Sequence, residues 1–407
     1  MNDFPFGWQV KSLGEVSEVI RGITFTPNDK VEKEDKGAIP CLRTSNVQFK
    51  VDWDDLIYIP RHLVKDKERL LREGDTLVST ANSKDLVGKC AFIDELKFES
   101  TLGGFISAIR PNQKYIDPSF LFHYLTQASV RAYLKKVSRQ TTNIANLSIP
   151  DLLSLRIPLP PLPIQKQIAG ILEKADEAKQ KRKEANQLTD EFLQSAFIEM
   201  FGDPVKNQKR WEVKELDELG KMARGKSKHR PRNAPFLLGG KYPLIQTGEI
   251  VNSSVYIKDY SQTYSEEGLK QSKIWPKGTL CISIAANIGF TAILSFDACF
   301  PDSVVGFVPD KKVIIEYINF YFKFIQSQLE EIAPQAAQKN INLEILGNLK
   351  VPVPPISLQQ QFAEIVNKTE ALKEKQKQSE QELENLFQSL MQRAFKGEFH
   401  LPNSTVR

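Results

Sequence analysis

Between Trp8 and about Pro158 the apolar residues fall in short runs, often β-branched, cut by Gly, Pro, Asn and Asp. Ile57-Tyr58-Ile59, Thr76-Leu77-Val78-Ser79-Thr80 after the turn Glu73-Gly74-Asp75, and Phe105-Ile106-Ser107-Ala108-Ile109-Arg110 before Pro111 have the length and the bounding residues of strands. From Ser119 to Tyr133 the spacing changes. Phe120, Leu121, Tyr124, Leu125, Val130 and Leu134 recur on a near-helical period, which predicts a helix. The sum is a mixed domain of class α+β.

The pattern is then written a second time. Trp8-Gln9-Val10-Lys11-Ser12-Leu13-Gly14-Glu15-Val16 returns as Trp211-Glu212-Val213-Lys214-Glu215-Leu216-Asp217-Glu218-Leu219, and each copy runs on to an Arg-Gly pair, Arg21-Gly22 and Arg224-Gly225. Thr279-Leu280-Cys281-Ile282-Ser283 stands in place of the Thr76 strand, Val304 to Pro309 in place of Phe105 to Pro111, and Tyr317 to Leu329 in place of the helix. Ile157-Pro158-Leu159-Pro160-Pro161-Leu162-Pro163-Ile164-Gln165 closes the first copy as Val351-Pro352-Val353-Pro354-Pro355-Ile356-Ser357-Leu358-Gln359 closes the second. A chain of 407 residues holds two such domains with proper cores. Small loop differences between copies on one scaffold are how proteins vary a binding specificity.

A long charged segment follows each proline motif. In the first, Ile164, Ile168, Ile171, Ala175, Ala178, Ala185, Phe192 and Ala196 are spaced by fours and threes. In the second, Leu358, Phe362, Ile365, Leu372, Leu383, Leu386 and Leu390 follow suit, with polar residues interrupting both seams, Arg182 and Thr189 in one, Gln376 and Ser379 in the other. Antiparallel pairing would bring Arg182 near Gln376, where a polar residue fixes register. About 38 helical residues at 1.5 Å each make a rod of roughly 57 Å. That is about 17 base-pair steps of duplex DNA.

Composition narrows the class. A net charge of +5 is modest, so only clustered charge bears on nucleic acid. Cys41, Cys90, Cys281 and Cys299 are too dispersed for a zinc site and read as reduced core residues. No segment is apolar for long enough to span a bilayer, and Met1-Asn2-Asp3-Phe4-Pro5 lacks a signal-peptide pattern, so no membrane partner and a cytoplasmic location are expected.

Gly220-Lys221-Met222-Ala223-Arg224-Gly225-Lys226-Ser227 is a formal match to the phosphate-binding loop and keeps a nucleotide hydrolase using Lys226 and Ser227 open as an alternative. That loop needs a helix after it, and Pro231 and Pro235 follow instead. The charge suggests another use. Lys221, Arg224, Lys226, Lys228, Arg230 and Arg232 lie within twelve residues with no acidic residue among them, as a phosphate-neutralising loop would.

Further candidate DNA contacts in the first copy are Arg21, Arg43, Thr44 and Asn46, Asn82 and Lys84, and Arg139 and Asn143. In the second they are Gln246, Asn287, Gln338 and Lys339. These are side chains that hydrogen-bond bases and phosphates, and they interrupt strand-like segments at equivalent places in both copies. No catalytic constellation accompanies them: the four histidines are dispersed, no nucleophile elbow is present, and no metal ligands cluster. The residues describe a binder; a coiled-coil scaffold without DNA specificity is the remaining alternative.

Two half-length repeats, each opening near Trp8 and Leu13 or their second copies and closing with Ile157 to Gln165 and Ile168, resemble the specificity subunit of type I restriction-modification systems. Phe197-Ile198-Glu199-Met200-Phe201-Gly202-Asp203-Pro204 and the terminal Phe395-Lys396-Gly397-Glu398-Phe399 belong to the same resemblance. It implies target recognition domains at 1–158 and 201–352, with spacer helices at 159–200 and 353–399 forming an antiparallel coiled coil about a pseudo-twofold repeat. It implies double-stranded DNA as target, two methyltransferase subunits carrying S-adenosylmethionine, and restriction subunits using ATP and Mg for translocation. No cofactor is expected on this chain, and none of the family's base contacts carries over residue by residue, because the recognition loops vary.

Overall fold

The computed structural model describes residues 4–140, 144–285, 287–332 and 341–399. The chain divides into two units, Met1–Lys181 with Glu380–Arg407, and Arg182–Ser379. Two long helices, Leu162–Phe201 and Ile356–Lys396, each contribute one segment to either unit.

In unit 1 the strands Ser17–Arg21, Ile106–Pro111, Thr76–Ser79 and Cys90–Phe92 form an antiparallel sheet in that order. A second sheet is built on Ala38–Leu42, antiparallel to Ile57–Pro60 and parallel to Thr101–Leu102. The helix expected from Ser119 to Tyr133 is two helices, Pro118–Thr126 and Ala128–Val137, separated at Gln127, which adopts a non-helical ψ of 141°. Asp117 starts the first by accepting from the Phe120 amide at 3.0 Å. At its end the Thr126 hydroxyl donates to the His123 carbonyl at 3.0 Å, a local bond that competes with continuation of the helix.

Unit 2 repeats the plan with one more strand in each of these two sheets. Gly220–Arg224, Val304–Pro309, Leu280–Ser283, Thr291–Leu294 and Tyr256–Ile257 make one sheet. Gln262–Tyr264, Leu238–Leu244, Ala298–Cys299 and Ile274–Trp275 make the other. Helix Ile315–Ile332 packs its buried Tyr317, Phe320 and Ile325 into the core.

The duplication extends to single residues. Gln9 pairs with Leu159 and Glu212 with Val353, so the tryptophan and proline motifs are the two strands of one antiparallel ribbon in each unit. The glutamine that ends each proline motif is buried. Gln165 accepts from the Asp117 amide at 2.8 Å and donates to the carbonyls of Pro160 and Tyr115 at 2.8 and 3.0 Å. Gln359 does the same with the Ile314 amide, Pro354 and Lys312. Each thereby ties the start of a long helix to the loop leading into the domain helix.

The long helices pack antiparallel within each unit. In unit 1, Ile168 and Leu172 share a core with Phe387, Met391, Ala394 and Phe395, and Lys179 pairs with Glu384 at 2.7 Å. In unit 2, Leu193, Phe197 and Phe201 pack with Phe362 and Val366, and Gln376 donates to the Thr189 hydroxyl at 3.0 Å. The expected seam needs correction here: Phe192, Leu372 and Leu386 are about half exposed, while Leu193, Phe197, Val366 and Phe387 are buried. The buried stripe runs through Asp176, Thr189, Glu370 and Gln376. Thr189 and Gln376 are the polar interruptions expected of the seams, whereas a search for apolar letters steps over Asp176 and Glu370. Gln376 meets Thr189 in this stripe, in place of the expected Arg182.

All four cysteines are buried and free. Burial pushes the thiols of Cys41 and Cys90 up to about 12 and raises those of Cys281 and Cys299 as well, so they pack as small hydrophobes. Among the described residues no helix is long and apolar enough to cross a membrane.

Candidate nucleic-acid interface

In unit 1 the chain leaves strand Ala38–Leu42 at Arg43 and makes a short turn, Thr44–Asn46. Arg43 Nη2 meets Asp55 Oδ2 at 2.8 Å. Arg43 and Thr44 line one side of a cleft of about 420 Å³, whose other walls include Phe25, Lys30 and Phe105, with no carboxylate in the lining. Phe105 is 64% exposed at the tip between two strands. Arg21 and Arg139 are exposed at the ends of strands. Asn82 is half-buried, bonded to the Ser79 hydroxyl at 3.1 Å and the Ser83 amide at 2.8 Å.

Two expected contacts are corrected. Asn46 is fully buried: its Oδ1 accepts from the Arg43 amide, and its Nδ2 donates to the carbonyls of Asp52 and Asp55 at 2.9 and 2.8 Å. A side chain whose hydrogen-bonding groups are spent inside the fold is a brace for the loop. Lys84 donates to the Lys135 carbonyl at 2.7 Å and reaches Ser138, placing its charge at the C-terminal end of helix Ala128–Val137, where it offsets unsatisfied carbonyls. Asn143 lies outside the described residues.

In unit 2 the basic run begins in a strand. Gly220–Arg224 pairs antiparallel with Val305 to Pro309, no helix follows Ser227 directly, and Ser227 is buried while Lys226 is exposed. A phosphate loop needs its lysine and hydroxyl turned to one ligand at a helix start, so the formal motif match is overturned by the strand. Arg224 is half-buried, with Nη2 3.5 Å from the Ile341 carbonyl. Arg230 reaches Asp302 at 3.1 Å and the Ser227 carbonyl at 2.5 Å, and Arg232 also bonds Asp302. Lys226 and Lys228 are exposed and have no ion-pair partner among the described residues. Gln246 is exposed and donates to Gln262 Oε1 at 2.9 Å, and Asn287 is half-buried. Gln338 and Lys339 lie outside the described residues.

Asp55, Gln262 and Asp302, which hold Arg43, Gln246 and the two arginines, are missed by sequence reasoning. Each lies 12 to 72 residues from its partner, so no local pattern announces it.

The profile described as Type I restriction modification DNA specificity domain matches residues 5–189 and 208–385, one copy in each half. The chain belongs to this family. It is 27% identical, over 96% of its length and 93% of the relative's, to a Methanocaldococcus jannaschii protein assigned as the type I restriction enzyme MjaX specificity subunit. It is 25% identical to the type I restriction enzyme EcoKI specificity subunit of Escherichia coli strain K12, over 97% and 89% of the two chains. The fold is also that of a type I restriction-modification system S subunit from M. genitalium, with TM-score 0.60 at 15% identity over 97% of both chains.

Proposed function

We propose that this chain is the DNA-recognition subunit of a type I restriction-modification complex, each unit reading one half of a split, asymmetric duplex sequence. The observation that carries this is the constancy of the framework, down to the pairs Gln9 with Leu159 and Glu212 with Val353, beside loops that differ in charge and side chain. The long helices act as an antiparallel coiled-coil spacer between half-sites and as the docking surface for two methyltransferase subunits. Those subunits supply S-adenosylmethionine and the methylation of adenine, and restriction subunits supply ATP- and Mg-dependent translocation. This chain contributes sequence choice and carries neither cofactor nor catalytic step. It works in the cytoplasm.

Among the described residues Lys226 and Lys228 form no ion pair, whereas Arg230 and Arg232 already share Asp302. The logarithm of the duplex affinity of the complex with its methyltransferase partner should fall linearly as log salt rises. Lys226→Ala with Lys228→Ala should flatten the slope by about 2, roughly 0.9 for each phosphate that is no longer neutralised. Fluorescence anisotropy across a salt series reads both. Assembly with no duplex binding at any salt would contradict the recognition role, and an unchanged slope would take this loop out of the interface.

A further inference from the structure

Two side chains stand at one framework position. In unit 1 the strand Ala38–Leu42 runs parallel to Thr101–Leu102 with Cys41 opposite Thr101. In unit 2 Leu238–Leu244 runs parallel to Ala298–Cys299 with Leu244 opposite Cys299. The chain is of equal length from Arg21 to Cys41 and from Arg224 to Leu244, so Arg43 and Gln246 correspond. A threonine follows each, Thr44 and Thr247. Each backbone amide donates to the side chain three residues on, Asn46 Oδ1 at 2.7 Å and Glu249 Oε2 at 3.0 Å.

The side chains themselves are steadied alike and differ only in chemistry. Asp55 holds one arm of the Arg43 guanidinium at 2.8 Å, leaving Nη1 without a partner among the described residues. Gln262 Oε1 accepts from the Gln246 amide nitrogen at 2.9 Å, which orients the carboxamide. An oriented guanidinium presents two donors, which fits the O6 and N7 acceptors of guanine; an oriented carboxamide presents a donor and an acceptor, which fits N6 and N7 of adenine. In unit 1 the cleft beside Arg43 adds the apolar faces of Phe25 and Phe105 and the charge of Lys30, a lining suited to a base edge next to a phosphate.

We propose that Arg43 and Gln246 are the equivalent base-reading residues of the two units, Arg43 taking a guanine edge in one half-site and Gln246 an adenine edge at the corresponding place in the other. The inference rests on the recognition role above. It makes Asp55 and Gln262 positioning residues, each acting through the side chain it holds.

The test exchanges the two chemistries in the full chain, co-produced with its methyltransferase partner, and reads the methylated motif by genome-wide methyladenine sequencing. Arg43→Gln should change the preferred base at a single position of one half-site, lowering methylation of the parental sequence roughly tenfold to hundredfold relative to the new one, with the other half-site unaltered. Gln246→Arg should do the converse. Motifs that keep both parental half-sites in variants melting with the parent would overturn the proposal, as would changes spread over several positions. For a variant that methylates nothing, the complex is used to select duplexes from a library randomised in one half-site. Enrichment of the parental base would again overturn it, and enrichment of a different base at one position would support it. A parental complex with no bipartite motif would instead sink the recognition reading on which the inference rests.

Discussion

Phe197→Ala is expected to destabilise unit 2 by about 3–5 kcal/mol, the cost of removing a fully buried phenylalanine from a packed core. Phe197 lies within 6.1 Å, ring centre to ring centre, of Phe201, Tyr317, Phe320, Phe324 and Phe362. It therefore joins the long helices to the domain helix of that unit. For a unit of this size the loss corresponds to a fall in Tm of roughly 6–20 °C. Phe192, which periodicity alone would select for the seam, is 52% exposed, and Phe192→Ala should shift stability by no more than about 0.5 kcal/mol. Differential scanning calorimetry of the two variants decides between the two placements: equal effects would restore the seam through Phe192.

Gly225→Ala is expected to cost about 3 kcal/mol or more, through contact with backbone that cannot swing away. A Cβ at Gly225 would stand 2.2 Å from the Phe300 carbonyl oxygen and 2.3 Å from that of Pro301. At Gly22 it would stand 2.1 Å from the carbonyl oxygen of Gly103. At both sites the chain passes from one sheet toward the other, Ile23 bonding Leu102 at 2.7 Å and Lys226 bonding Phe300 at 3.2 Å. The repeated Arg-Gly pair thus has a steric origin in its glycine. Gly248→Ala, where nothing lies within 4 Å, is the control and should leave stability nearly unchanged. Urea unfolding of the three chains measures this, and a Gly225→Ala protein as stable as the parent would show that the strands separate without cost.

Much of this fold was legible in the sequence because short β-branched runs between turn residues leave little else for strands such as Thr76–Ser79 or Val304–Pro309 to be. The duplication supplied the rest of the architecture, since one reading of the ribbon served both Gln9 to Ser12 and Glu212 to Glu215. The seam failed at Phe192, Leu372 and Leu386, which are about half exposed, and at Glu370, which is inside, while Thr189 and Gln376, its expected polar interruptions, are buried. At the candidate interface, residue type was legible and availability was not. Arg230 and Arg232 look as free as Lys226 until Asp302, some seventy residues on, is brought beside them, and Asn46 looks like a base reader until Asp52 and Asp55 close around it. The Asp302 contacts span 70 and 72 residues and those of Asn46 six and nine, none of them at a helix or strand period.

The central claim, that two units of one framework read two different half-sites, is tested most directly by co-producing this chain with its methyltransferase partner in a host lacking other adenine methylation and sequencing the methyladenine. The account predicts methylation confined to one bipartite motif, two unlike half-sites separated by a fixed stretch of unspecified bases. A methylome with no such motif, or one whose motif is a single undivided site, would contradict it.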